Sequence, residues 1–100
     1  MYRGTTPIHI FDLPVDKDQI KNLRVTYIQR KEKIVEKRLA DVELTDKKVE
    51  VRLSQRETLK FDAACHAYVQ IRILTTDNQV FTSEPETIDV KETFNEEILS

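Results

Sequence analysis

Residues 65–81 read CHAYVQIRILTTDNQVF. Within them Ala67, Val69, Ile71 and Ile73 alternate with Tyr68, Gln70, Arg72 and Leu74. A repeat of two marks a strand with one buried face, because successive side chains on an extended backbone point to opposite sides of a sheet. Thr75-Thr76-Asp77-Asn78 supplies a turn, in which Asn78 tolerates positive φ, and Val80-Phe81 begins a return strand. Every other plausible strand in the chain is shorter, so this hairpin forms the centre of the expected sheet.

Just upstream, Ser54-Gln55-Arg56-Glu57 has the form of a capping box, serine at the N-cap and glutamate three residues on. It predicts one short helix from Ser54 to about Lys60, carrying Leu59 and Phe61 toward the core. Before it lie two short strands, one over residues 41–44 and one over residues 48–53 with Val49, Val51 and Leu53 inward, joined by a turn at Thr45-Asp46-Lys47. Further back, Leu23, Val25 and Tyr27 alternate with Arg24, Thr26 and Ile28, and a partner strand runs from Ile34 to Leu39. Lys33, Glu36, Lys37 and Arg38 make that partner a charged edge, which discourages unwanted strand pairing. The turn between the two is Arg30-Lys31-Glu32-Lys33. Two-residue hairpin turns need positive φ and favour Asn-Gly or Asp-Gly, so a longer or looser turn is expected here. Pro7 opens the first strand, Ile8-His9-Ile10-Phe11, in which Ile8 and Ile10 share one face. Proline cannot donate to a ladder and belongs on an edge. Asp16 with Gln19 predicts a single helical turn ending near Lys21. Downstream of the central hairpin, Thr82-Ser83-Glu84-Pro85 interrupts the strand before Ile88 and Val90 resume the alternation.

About seven short strands, with turn signals every eight to twelve residues, predict an all-β chain folded as an immunoglobulin-like β-sandwich. The disulfide and tryptophan that mark true immunoglobulin domains are absent, so the expectation concerns architecture only. One domain covers residues 1–91. Residues 92–100 form a tail with Phe94, Ile98 and Leu99 among acidic and polar neighbours, read as a frayed end, a short helix, or a segment that orders on a partner.

One hundred residues suffice for one core. A single cysteine rules out an internal disulfide and a four-cysteine zinc site. With no apolar leader and no run of membrane-spanning length, the chain is expected to have neither signal peptide nor transmembrane segment and to fold in a reducing cytoplasm. Net charge is −2, but residues 1–60 carry 14 Lys and Arg against 10 Asp and Glu, while residues 61–100 carry 2 against 8. Such asymmetry can drive head-to-tail association, although two solvated faces is the plainer reading. The composition does not suit a nucleic-acid binder, which is normally basic with interleaved aromatics.

The chemistry-bearing residues give little. Cys65 and His66 are adjacent and on a strand would face opposite ways, and His9 is the only other histidine. No carboxylates stand at a metal-ligand spacing to them. Gly4 is the only glycine, which excludes P-loops and dinucleotide fingerprints. Glu84, Glu86, Asp89 and Glu92 lack the spacing of a calcium loop. No enzyme, cofactor, metal or small-molecule substrate is expected. The basic set Arg30, Lys31, Lys33, Lys37 and Arg38 could contact an acidic protein surface or nucleic acid, but diluted by Glu32 and Glu36 it reads first as a soluble loop. If one face of the central strand fills the core, Tyr68, Gln70, Arg72 and Leu74 line an outer surface, and tyrosine and arginine are favoured at interface hot spots. The alternative is that Tyr68 and Leu74 cover a small cluster under a loop.

Three segments, MYRGTTP at residues 1–7, LSQRETLKF at 53–61 and VQIRILTTD at 69–77, resemble a family of small phage and prophage proteins of low-GC Gram-positive bacteria. The segments occur in the family's order and spacing across nearly the whole chain. The chain departs from that pattern at its turns, with Arg30-Lys31-Glu32 and Asp77-Asn78 where Asn/Asp-Gly pairs are expected. The architecture is also similar to the immunoglobulin-like N-terminal domain of phage upper-baseplate proteins. The resemblance implies a non-enzymatic structural or accessory protein of a tail or baseplate, placed in the virion once assembled. Its partners would be other phage structural proteins or further copies of itself, with no nucleic acid and no membrane. The family lends no binding residues; the contact residues expected from the outer strand face are Tyr68, Arg72 and Leu74, with Phe94, Ile98 and Leu99 of the tail. Two other functions remain open: a carbohydrate or host-surface binding module, disfavoured by zero tryptophans and three tyrosines, and a small cytoplasmic prophage regulator or inhibitor.

Overall fold

The computed structural model describes all of residues 1–100. Two antiparallel sheets face one another. The smaller contains β1 (Ile8–Asp12), β4 (Glu43–Thr45) and β5 (Lys48–Arg52) in the order β1-β5-β4. The larger contains β2 (Ile20–Gln29), β3 (Glu32–Arg38), β6 (Ala67–Thr75), β7 (Val80–Thr82) and β8 (Glu86–Ile88). Its order is β3-β2-β6-β7, with β8 also on β6. The chain is an all-β sandwich with one short α-helix, α1 (Gln55–Thr58). Pairing of β1 with β5 in one sheet and β2 with β6 in the other gives the interleaved, immunoglobulin-like connectivity.

Eight strands fill seven positions. Arg72 to Leu74 of β6 pair with β7, whereas Ala67 to Val69 pair with β8 in a register shifted by one residue. Between them Ser83 bonds Ile71 through both its backbone N–H and its Oγ, each at 2.9 Å. β7 and β8 are thus one edge strand broken by a bulge at the interruption read from Thr82 to Pro85.

The core lies between the sheets. Leu23, Val25 and Tyr27 of β2, Val35 of β3, Val49 and Val51 of β5, and Val69, Ile71 and Ile73 of β6 are all buried. The alternation in β6 decides the inward set as expected. Tyr27 is wholly buried against Phe61, ring edge to ring face at 5.9 Å. The helix bridges the sheets after β5, with Ser54 Oγ accepting from the Glu57 N–H at 3.1 Å and Glu57 Oε1 from the Ser54 N–H at 2.9 Å. It is shorter than the expected residues 54–60, and Phe61 and Thr58, rather than Leu59, enter the interior. Leu59 instead packs beneath Gly4, whose φ of +75° only glycine adopts without strain.

Three further readings change. The first hairpin turn is a tight two-residue turn, because Gln29 pairs directly with Glu32 and Arg30 and Lys31 take φ of 50° and 66°. The local strain is tolerated because the long β2–β3 ladder fixes the register, and Arg30 also reaches Asp62 at 2.6 Å. A bulge beside Tyr27 and Ile28 then shifts β3 by one residue. Residues 39–41 form a 3-10 turn, in which Asp41 Oδ2 accepts the Arg38 N–H at 2.9 Å, so β4 starts later than the expected strand. Cys65 and His66 precede β6 rather than lying on it. Cys65 is half-buried.

The accessible surface is 6705 Å² and the radius of gyration 14.3 Å. Both exceed the roughly 5,900 Å² and 13 Å usual for this chain size, as befits a slab with extended ends. No helix is long and apolar enough to cross a membrane.

Candidate contact face

The outer face of the five-stranded sheet is built by the residues that alternate with the core. From β6 come Tyr68, Gln70, Arg72 and Leu74; from β2, Asn22, Arg24, Thr26 and Ile28; from β3, Glu36 and Arg38. Register sorts them into rows. Arg24 lies directly opposite both Arg38 and Arg72, so three arginines stand side by side across β3, β2 and β6. On one side of this row Tyr68 faces Ile28, an aromatic–aliphatic cross-strand pair. On the other, Leu74 lies beside Val80, which is 55% exposed.

Like charges directly opposed on a sheet are destabilising. The side chains respond unequally. Arg24 turns back, its Nη1 donating to Asn22 Oδ1 at 2.8 Å and to the Leu23 carbonyl at 2.9 Å. Arg38 has Glu36 at 3.9 Å. Arg72 makes neither an ion pair nor a hydrogen bond and is exposed. A shallow groove of 230 Å³ separates Arg24 and Arg72 from Leu74 and Val80. Chemically the face offers planar guanidinium donors for carboxylates, flanked by apolar surface at both ends.

The expected contact residues divide between two places. Tyr68, Arg72 and Leu74 share this face, Tyr68 at 41% exposure and Leu74 half-buried. Phe94, Ile98 and Leu99 lie elsewhere, on an extended tail. Arg3 forms an ion pair with Glu96, Thr93 Oγ1 donates to the Arg3 carbonyl at 2.6 Å, and Gln55 bonds both the N–H and carbonyl of Leu99 at 2.8 Å. Phe94 is fully exposed and Leu99 is 75% exposed.

Compared with known proteins, the chain matches no family model, no curated protein and no solved structure.

The basic hairpin separates into individual pairs. Arg30 meets Asp62, Lys33 meets Glu36 at 3.4 Å, and Lys37 crosses the sandwich to Glu57 at 2.8 Å. Burial works to raise the Glu57 pKa, but the Lys37 ammonium and the Ser54 hydrogen bonds hold it below its ordinary value. His66 pairs with Asp89 at 2.8 Å while the Cys65 sulfur lies 3.6 Å from Gln29 Nε2, so the neighbours serve different partners. His9 Nδ1 is 2.7 Å from the Tyr27 hydroxyl. Burial, then the terminal ammonium, lowers the His9 pKa, and burial followed by the charge of Glu57 raises that of Tyr27.

Sequence reasoning missed the partners of Arg72. The alternation in β2 already sets Arg24 beside Thr26 and Ile28 on one face, but only the pairing register brings Arg24, Arg38 and Arg72 together. It missed Arg3 as well. Its Nε donates to the Phe61 carbonyl at 2.6 Å and its Nη2 to the Leu59 carbonyl at 3.0 Å, while Thr58 Oγ1 donates to the Thr5 carbonyl at 2.9 Å. Residues 1–7 and 53–61, two of the segments behind the resemblance, therefore pack on one another.

Proposed function

We propose that this chain is a non-enzymatic protein–protein contact module that docks an acidic surface on the open face of its larger sheet. The observation that carries the reading is the in-register row of Arg38, Arg24 and Arg72, with Arg72 unpaired. A fold that opposes like charges gives up stability, and such locally unfavourable choices concentrate where function requires them. Apolar pairs on both sides supply the desolvated contact area that an interface needs beyond charge. The resemblance of residues 1–7, 53–61 and 69–77 suggests the setting: a structural or accessory component of a phage tail or baseplate, made in the host cytoplasm and carried in the virion.

The docking reading is tested by NMR titration of the full chain with poly-L-glutamate, and in parallel with heparin. Resonances of Arg24, Arg38, Arg72 and Tyr68 should shift with polyglutamate, and the shifts should weaken as salt rises. Arg24→Glu with Arg72→Glu should weaken binding at least tenfold. Shifts confined to other surfaces, or preference for heparin over polyglutamate, would count against an acidic protein partner. The setting is checked separately by mass spectrometry of particles purified after induction of the prophage carrying the gene. Exclusion of the chain from those particles refutes the virion role.

A further inference from the structure

The sandwich has four sheet edges, and three are guarded against pairing. β3 carries Lys33, Glu36, Lys37 and Arg38. β4 has only three residues, the first of them Glu43. β7 and β8 are short, separated by a bulge and by Glu84 and Pro85. β1 differs. It spans five residues, carries no lysine or arginine and one carboxylate, Asp12, and Ile8 and Ile10 are 47% and 56% exposed. Proteins normally protect such an edge with lysine, proline or a bulge.

The backbone of β1 is also open. The Pro7 carbonyl accepts from Leu53 N–H at 3.2 Å and Leu13 N–H donates to the Lys47 carbonyl at 2.7 Å. Odd-numbered residues therefore face β5, and the N–H and C=O groups of Ile8, Ile10 and Asp12 point away from the sheet. In a constant-type immunoglobulin sandwich the first strand pairs along this edge. No strand of this chain takes that place. Residues 1–3 run instead beside Lys91, with a Tyr2–Lys91 bridge. Next to the end of β1, a groove of 460 Å³ lined by Leu13, Ile71, Ile73 and Phe81 opens between the two sheets.

We propose that β1 pairs antiparallel with β1 of a second copy about a two-fold axis at Ile10, joining the two smaller sheets into one of six strands. This register uses every free group: Ile10 pairs with Ile10, and Ile8 with Asp12, in both directions, for six main-chain hydrogen bonds. Pro14, which has no N–H to offer, ends the seam beyond Asp12. Side chains fit the same register. Ile8 and Ile10 of both copies form one apolar strip on the outer face, while His9 and Phe11 meet across the seam on the inner side. Each Asp12 keeps Lys48 at 3.1 Å on its own chain and meets Ile8 of the other copy, so no like charges oppose across the join. Pairing shifted to align Asp12 with Asp12 would oppose carboxylates and lose bonds. The occupant best matched to this edge is therefore the edge itself.

Light scattering on the full chain should give a mass that climbs with concentration from 11.8 kDa toward twice that value. Ile10→Lys, a change at an exposed side chain, should restore the monomer while leaving the circular dichroism spectrum intact. In a Cys65→Ser background, Ile10→Cys should be bridged to its twin by dibromobimane, which links only neighbouring thiols, because paired Cα atoms sit about 5.5 Å apart. Ile8→Cys should not be bridged, since the two Ile8 positions are offset by four residues along the seam. Arg24→Glu with Arg72→Glu should still dimerise, which separates this interface from the acidic docking face. A monomer up to about 1 mM, a folded Ile10→Lys dimer, or bridging at Ile8 without bridging at Ile10 would each overturn the proposal.

Discussion

Lys31→Gly should stabilise the protein. Lys31 holds φ of 66° in the two-residue turn between β2 and β3, and its side chain makes no ion pair whose loss would offset the change. A non-glycine residue in the left-handed region costs roughly 1–2 kcal/mol. Glycine removes that strain but loses about 0.5–1 kcal/mol through the greater freedom of the unfolded chain. The balance is a gain of about 0.5–1 kcal/mol, equivalent to a Tm increase of about 2–8 °C in a domain of this size. Lys31→Ala is the control: it removes the same side chain but keeps a Cβ in the left-handed region, so it should show no gain. Calorimetry and urea unfolding on the three proteins read the difference directly, with equal m-values confirming that the transition is the same. If Lys31→Gly is no more stable than Lys31→Ala, backbone strain at this turn is not what the sequence carries, and the tight-turn geometry is wrong. Arg30, at φ of 50°, is a poorer site for the test because its change would also remove the pairing with Asp62.

Two further outcomes concern polar side chains on the inner side of the sheets. His9 has a folded pKa below its ordinary 6.5, so between those values the unfolded chain binds more protons than the folded one. Stability should be insensitive to His9 above about pH 6.5 and fall as the pH drops below it, and His9→Asn should flatten that part of the urea-midpoint profile. Gln29 is buried, and its side chain bonds the Asp62 N–H and carbonyl at 2.7 Å and the Cys65 carbonyl at 3.0 Å. Gln29→Leu should cost about 2–4 kcal/mol by leaving those backbone groups unpaired, and a loss below about 0.5 kcal/mol in urea unfolding would mean that water replaces the amide.

The two proposed contact surfaces use different sheets and do not compete. A dimer joined at β1 leaves both arginine rows free, giving the assembly two equivalent faces for acidic partners. Two linked sites raise apparent affinity without new contacts wherever the partner presents matching repeats, as symmetric particles do. Salt should weaken the arginine-face contacts, whereas hydrogen-bonded edge pairing with isoleucine packing should be far less sensitive.

Much of the fold could be read directly from residue order because it depends on local chemistry. The alternation through Ala67 to Ile73 fixes which side of β6 is buried, since pleating leaves no other choice. Ser54 with Glu57, and Asp16 with Gln19, announce their short turns because a side chain and a backbone N–H three residues apart satisfy each other without outside help. Proline at residue 7 and the charges of β3 mark edges for equally local reasons. What residue order leaves open is everything set by pairing at a distance. Arg24, Arg38 and Arg72 are separated by 14 and 48 residues from one end of that set to its neighbours, and only strand register aligns them into a row. Arg30 and Lys31 do not announce a tight turn, because their local preference is weaker than the ladder that closes it. Ile8 and Ile10 share a face by residue order alone, but which face meets water depends on whether β5 takes the odd-numbered or even-numbered side, a decision made by the packing of His9 on Tyr27 with Phe11 set against the His9 ring. A period of two says that a strand has two sides; burial against a second sheet decides which one is left for partners.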